Sequence, residues 1–231
     1  MYALVLAGGK GERLRPLTSD RPKQMVILKD KPILEYQIEW LAREGATDVV
    51  LLCGYRYQMI SDHFGDGARW GLRITYSIED EPLGRGGAFK QGFRLVPESE
   101  PFVIGVNGDN FNTQPLAPLV RSHRRSRAVA TVMLVPLASP YGVVRLRGSR
   151  IVAFQEKPLL PYWINAGVYV LSREFFAGLP DVGDHEDELF PRLAAEGRLR
   201  AFRSRSYWKG IDTVKDLAEV AKHLAAGGSA G

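Results

Sequence analysis

Between Tyr2 and Val106, short apolar runs rich in strand formers alternate with segments of helical spacing, and this alternation restricts the fold more than any other feature. Tyr2 to Leu6, Asp48 to Cys53, Leu72 to Ser77 and Phe102 to Val106 read as buried strands. Between them, Ile33, Leu34, Ile38, Leu41 and Ala42 recur at helical spacing behind Pro32 and stop at Gly45, Tyr57 to Phe64 reads as a helix, and another helix follows a Gly84 to Gly87 turn and runs through Val96. Such an order predicts a mostly parallel sheet with right-handed crossovers. The second half changes character. Ala128 to Val135, Gly142 to Leu146, Ile151 to Gln155 and Ile164 to Leu171 are strand-like, with a Gly148-Ser149 hairpin turn. Glu186 to Ala195 reads as a helix, Leu199 to Arg203 as an edge strand and Thr213 to Ala226 as a closing amphipathic helix. The expected fold is α/β: a Rossmann-like, three-layer, mostly parallel sheet with helices on both faces and a small antiparallel extension. One domain over 1–226 and a flexible tail over 227–231 are expected.

The 231 residues are 45% hydrophobic and 25% charged, enough to bury a core without staples. Cys53 is the only cysteine, so no intrachain disulfide forms, and its apolar neighbours mark it as a buried thiol. Met1 to Ala7 is too short for a signal-peptide core or a membrane span, so a cytoplasmic location and no membrane contact are expected. The net charge of +5 fits a protein that handles anions. The densest basic run, Arg121 to Arg127, reads as the solvated end of a helix; it has no aromatic neighbours for base stacking, and nucleic acid is not expected as a partner.

Leu6-Ala-Gly-Gly-Lys-Gly-Glu-Arg-Leu-Arg-Pro16, followed by Arg21-Pro-Lys-Gln24, is the strongest local signal for chemistry. Glycines directly after a strand let backbone N–H groups approach a phosphate, and Arg13, Arg15 and Lys23 add positive charge. The spacing matches neither a Walker loop nor a dinucleotide fingerprint. Taken alone, glycine and charge are equally compatible with a plain basic strand-to-helix turn.

This loop resembles the Gly-Gly-x-Gly-x-Arg-Leu-x-Pro plus Pro-Lys signature of the sugar-1-phosphate nucleotidyltransferases. Pro32-Ile-Leu, Glu81-Pro-Leu-Gly84, Asn107-Gly-Asp109, Tyr141-Gly-Val143, Glu156-Lys-Pro158, Asn165-Ala-Gly167 and Trp208 through Asp212 resemble the family's later blocks in the same order, over nearly the whole chain. The resemblance implies transfer of a nucleoside monophosphate from a nucleoside triphosphate to a sugar 1-phosphate, with Mg²⁺ as cofactor and pyrophosphate as leaving group. It casts Arg13, Lys23, Asp109 and Asp212 as catalytic groups, with Asp109 and Asp212 also as metal ligands. Leu6, Ala7, Gly8, Gly9, Gly11, Glu79, Pro82, Gly84 and Gly108 would bind the nucleotide; Gly142, Glu156, Lys157, Asn165 and Gly167 would bind the sugar phosphate.

Asp109 has support from position as well, because it follows a strand's carboxyl end, where open α/β sheets bind ligands. Asp212 departs from the Trp-x-Asp order of many members and resembles another branch; the alternative is that it caps the last helix. Glu79 stands where many pyrimidine-nucleotide relatives carry Gln. A carboxylate accepts only, which suits the two adjacent donors on a guanine edge. Together with Phe64 to Gly71 and Tyr76 to Ala88, Glu79 draws the chain towards guanylyltransferases for mannose or heptose phosphates. A glucose-1-phosphate enzyme using UTP, dTTP or CTP, or a non-catalytic regulatory subunit, are the alternatives. The β-helix appended to some relatives, and its acetyltransferase activity, are not expected. Homo-oligomerisation is left open, since Tyr162, Trp163, Tyr207 and Trp208 suit a sugar pocket slightly better than an interface.

Overall fold

The computed structural model describes residues 1–227; the rest of the expected tail, 228–231, lies outside the described residues. Strand β1 (Tyr2–Leu6) leads through the glycine-rich loop to the two-residue strands β2 (Ile27–Leu28) and β3 (Lys31–Pro32) and helix α1 (Ile33–Arg43). Then come β4 (Asp48–Cys53), α2 (Tyr57–Phe64), β5 (Arg73–Ile78), α3 (Gly84–Phe93), β6 (Phe102–Asn107), β7 (Asn110–Asn112) and α4 (Leu116–Arg124). The second half comprises β8 (Ala130–Ala138), β9 (Val143–Arg147), β10 (Arg150–Gln155), β11 (Leu159–Ser172), α5 (Arg173–Ala177), α6 (Leu189–Ala195), β12 (Leu199–Arg203), β13 (Trp208–Gly210) and α7 (Val214–Ala225).

Seven strands form the central sheet in the order β12-β8-β11-β6-β1-β4-β5. Within it only β11 runs antiparallel to its neighbours, β6 and β8. The side-chain period of two sorts β1 between two apolar layers. Ala3 and Val5 join Leu34, Ile38, Ile60, Phe64 and Leu119 from α1, α2 and α4 on one face. Leu4 joins Phe89, Phe175, Phe176, Phe190 and Leu193 from α3, α5 and α6 on the other. The expected three-layer mostly parallel sheet is what the chain forms, and β9 with β10 makes the small antiparallel addition. Cys53 is fully buried and free, and burial pushes its thiol up to about 12.

Several element boundaries differ from the sequence expectation. Gly84 to Gly87 is no turn but the start of α3. Its glycines are there because the segment 181–185 crosses directly over the helix: a Cβ on Gly86 would stand 2.8 Å from the Gly183 carbonyl oxygen. The helix expected from Glu186 begins at Leu189, since 181–187 is used for that crossing. β11 has 14 residues and begins well before the expected Ile164, because pairing with β8 continues through an irregular register into Leu159. Helix α5 and the short strands β2, β3, β7 and β13 carry too few residues to show a period, and only tertiary pairing reveals them.

Candidate active site

Strands β1 and β6 end side by side, Leu6 opposite Asn107, and the loops that follow them open a cleft at the carboxyl edge of the sheet. Its volume is about 390 Å³. Leu6, Gly8, Gly9, Glu79, Pro82, Gly84, Gly108 and Asp109 line it, all of them expected. Gln24, Arg85, Ala88, Asn107 and Asp184 line it too, and these were missed. Gln24 and Asn107 stood inside recognised motifs and could have been added; Asp184 has no local signal, being brought in by the crossing segment.

Two buried polar atoms, Gln24 Oε1 and Asn107 Oδ1, have no hydrogen-bond partner among the described residues. Both belong to residues that line this cleft, and an acceptor left unpaired away from water costs about 1–3 kcal/mol unless something donates to it. The amides at the start of α3 are already engaged. Arg85 N–H donates to Asp184 Oδ1 at 2.7 Å, and Gly86 N–H and Gly87 N–H to Gly183 O. These three amides are therefore not open to a ligand in the cleft.

The charged groups meet at one edge of this cleft. Lys23 follows Gly9 in space, its N–H bonded to the Gly9 carbonyl at 3.2 Å, and its Cβ is packed against Gly11. Gly11 has φ +68°, and a Cβ on it would stand 2.7 Å from Lys23 Cβ, so this glycine serves the approach of Lys23 rather than lining the cleft. The Lys23 side chain is only 8% exposed, and Nζ donates to Asp109 Oδ2 and Asp212 Oδ1, each at 2.7 Å. Arg13 Nη2 lies 2.9 Å from the same Asp212 oxygen and is otherwise exposed. Ala7 is fully buried, its N–H paired with Leu52 O, and does not face the cleft.

Asp109 and Asp212 are joined by the short antiparallel pair β7–β13, with Gly210 opposite Asn110 and the Ile211 N–H donating to Asp109 O at 3.0 Å. A third apolar cluster fastens this corner: Leu14 and Val26 from the loop, Phe111 from β7, and Ile211, Leu217 and Val220 at α7. The helix-cap alternative for Asp212 is overturned. Thr213 caps α7, its hydroxyl accepting from Asp216 N while the Asp216 carboxylate accepts from Thr213 N. The Asp212 carboxylate is left for the cations. Among the described residues no group of three or more His, Cys, Asp and Glu side chains converges as a metal cluster. Asp109 and Asp212 are the two carboxylates that converge at this corner, both on Lys23 Nζ, and two carboxylates are as many as Mg²⁺ commonly takes from a protein.

Glu79 is half-buried in the cleft wall beside Gly8. Its Oε2 accepts from Leu83 N–H at 3.1 Å, and its Oε1 lies toward Gly8. Burial raises its carboxyl above the ordinary value, partly opposed by the Leu83 N–H.

The candidates for the sugar phosphate are less gathered. Asn165 turns away: its Nδ2 donates to Glu186 Oε1 at 2.6 Å and to Tyr169 Oη at 2.9 Å, and its Oδ1 accepts from Gly167 N. Arg85 completes this network through ion pairs with Asp184 and Glu186. Gly167 packs against Asn107 and Asn110, and Gly142 against the Phe154 ring. Glu156 and Lys157 are both exposed, 3.7 Å apart, at the end of β10. Trp208 is tied down by its indole N–H to Ala166 O, and Tyr207 stacks on His223, so neither is a free sugar platform.

Residues 2–227 match the family described as nucleotidyl transferase. The D-glycero-alpha-D-manno-heptose 1-phosphate guanylyltransferase of Aneurinibacillus thermoaerophilus is 34% identical, with 97% of this chain and 98% of that protein covered. The mannose-1-phosphate guanylyltransferase of Mycobacterium tuberculosis is 36% identical over 97% of this chain, which spans 65% of that relative's length; it spans 62% of the mannose-1-phosphate guanyltransferase of Yarrowia lipolytica. Among solved structures, HddC from Yersinia pseudotuberculosis superposes with a TM-score of 0.77 at 26% identity, covering 96% of this chain and 99% of that one. The chain therefore belongs to the nucleotidyl transferase family and stands among its sugar-1-phosphate nucleotidyltransferases.

Proposed function

We propose that this chain joins GTP and a mannose- or heptose-type sugar 1-phosphate into a GDP-sugar and pyrophosphate. A phosphate oxygen of the sugar attacks the α-phosphorus in line; the new P–O bond forms as the bond to the bridging oxygen breaks, and pyrophosphate leaves with that electron pair. Both reactants are anionic, so positioning and charge neutralisation carry most of the rate.

The observation that carries this reading is the convergence of Lys23, Arg13, Asp109 and Asp212 at the cleft edge. Arg13 and Lys23 would draw off triphosphate charge, while Asp109 and Asp212 would hold Mg²⁺. Two carboxylates converging on one point fit Mg²⁺, which habitually takes one or two protein carboxylates and fills the rest of its shell from phosphates and water. When bound, the ion would neutralise charge developing on the phosphate oxygens. Leu6, Gly8, Gly9, Pro82, Gly84 and Gly108 would cradle the nucleoside, with Glu79 accepting from the guanine edge. Lys157 and Glu156 would meet the sugar phosphate, and Asn165 and Gly167 would shape the floor through Glu186 and Asn107. The names of the relatives support the guanine and the sugar class.

The test is pyrophosphate release from the purified chain with each of GTP, UTP, dTTP, CTP and ATP, against mannose, heptose and glucose 1-phosphates. Each pair is run with Mg²⁺ and again with EDTA. Release with GTP and a mannose-type phosphate, lost in EDTA, is expected. Release with a pyrimidine nucleotide alone would overturn the base assignment, and release unchanged by EDTA would overturn the metal.

A further inference from the structure

Segment 181–187, which crosses the start of α3, divides its side chains between two surroundings. His185 enters the apolar layer of Phe89, Tyr169, Phe175 and Phe190 and is fully buried. Its neighbours Asp184 and Glu186 both meet Arg85 instead. Asp184 grips Arg85 twice, Oδ1 accepting from the backbone N–H and Oδ2 from Nη2, each at 2.7 Å, while Nη1 pairs with Glu186 Oε2. Glu186 is itself held: its Oε1 accepts from Asn165 Nδ2 at 2.6 Å and from the hydroxyl of the fully buried Tyr169 at 3.2 Å.

Arg85 is thus fixed in orientation, yet its side chain is 40% exposed and lines the cleft, the only Lys or Arg among the described lining residues. A guanidinium carries five N–H donors, and Asp184 and Glu186 take one each. Three remain for a ligand. Asp184 lines the cleft too, so a carboxylate acceptor stands beside those donors. Two carboxylates outweigh one guanidinium, so this wall does not attract phosphate as the Lys23 and Arg13 corner does. Fixed donors beside fixed acceptors, without net positive charge, suit neutral hydroxyl groups, which both give and accept hydrogen bonds.

We propose that Arg85, with Asp184, reads ring hydroxyls of the sugar and is a specificity-determining residue of the cleft. The inference rests on the nucleotidyl transfer proposed above, in which Asn165 and Gly167 shape the sugar's floor. Glu186 ties Arg85 to that floor, which assigns it to the sugar rather than to the ribose of the nucleotide. Asn165 has no N–H left for a hydroxyl, both being spent on Glu186 and Tyr169, so Arg85 is the donor this network presents to the cleft.

Calorimetric titration with GDP-mannose and with GDP, on the parent and on Arg85→Lys, separates sugar from nucleotide without needing turnover. Lysine keeps the charge between the two carboxylates and removes the fan of N–H groups. The variant should bind GDP-mannose about 10–100-fold more weakly, the worth of a hydrogen bond to a charged group, and GDP within about two-fold, which also shows that it is folded. In turnover, KM for mannose 1-phosphate should rise by the same factor while KM for GTP stays. Mannose 1-phosphates lacking one hydroxyl at a time supply a second measurement: the parent should lose kcat/KM at one position, and Arg85→Lys should lose nothing further there. Equal weakening of GDP and GDP-mannose overturns the proposal in favour of the ribose or phosphates. Unchanged binding of both, or the same hydroxyl penalty in parent and variant, overturns it outright. A parent that turns over no pair of substrates but shows the calorimetric difference loses the transfer reading and keeps the sugar contact.

Discussion

Asp109 Oδ2 and Asp212 Oδ1, far apart in the chain, accept from one ammonium: Lys23 Nζ lies 2.7 Å from each. The pair is held from behind by β7–β13 and the apolar corner at α7, so the two carboxylates stay close whatever cation stands between them.

Removing that ammonium should cost both rate and stability. Lys23→Met leaves two facing carboxylates with only Arg13 beside them. Turnover should fall by about 10²–10³, the loss usual for one preorganised donor. Stability should fall by about 1–2 kcal/mol, below the value for a fully buried pair because the two carboxylates are 32% and 40% exposed. Thermal melts should recover part of this when Mg²⁺ is added, and a variant melting like the parent without metal would show that Lys23 does not hold the carboxylates together.

Asp212 and Thr213 should separate cleanly. Thr213→Ala removes the cap of α7 and should cost about 1 kcal/mol with turnover kept within a few fold. Asp212→Asn should do the reverse, losing turnover by orders of magnitude with little change in melting temperature. Paired melts and rate measurements would expose an exchange of these outcomes, and with it a wrong assignment.

Glu79 should govern base choice in a pH-dependent way. Its carboxyl is raised by burial, so protonation is easier in the folded chain, and any stability linked to it grows as pH falls and is lost as pH rises through the raised value. Accepting from guanine requires the ionised form, so kcat/KM for GTP should drop on acidification through that same range. Glu79→Gln should remove this dependence and shift the GTP-to-UTP ratio by about 10–100-fold towards UTP. Equal ratios in parent and variant would take Glu79 out of the base site.

His185 should make the fold acid-sensitive. It is fully buried among Phe89, Tyr169, Phe175 and Phe190, both ring nitrogens lack partners among the described residues, and burial lowers it from 6.5 to about 4. The unfolded chain binds a proton below about 6.5 while the folded chain refuses it until about 4, so stability present at neutral pH is lost across that window. His185→Phe should melt near the parent at neutral pH and lose less on acidification to pH about 4.5. Identical acid profiles for the two proteins would place the sensitivity elsewhere.

The alternation of apolar runs with helical periods carried the layer order, because a period of two or of 3.6 is a local property that survives whatever the chain packs against. The glycine-rich loop, Glu79, Gly108 and Asp109 were legible for a related reason: they sit at fixed short offsets from strand ends, and the strand end places them. The membership of Asp184 and Arg85 in the cleft, the engagement of Asn165 with Glu186, and the transfer of the α7 cap from Asp212 to Thr213 were decided by contacts between distant segments. The same holds for the glycines of α3, which the sequence presented as a turn and which the crossing of 181–185 requires as a helix start. Local periodicity determined which segments are strands and helices, and which loops stand at the carboxyl edge of the sheet. Only the burial of three apolar clusters, fixing distant segments against one another, decided which charges meet.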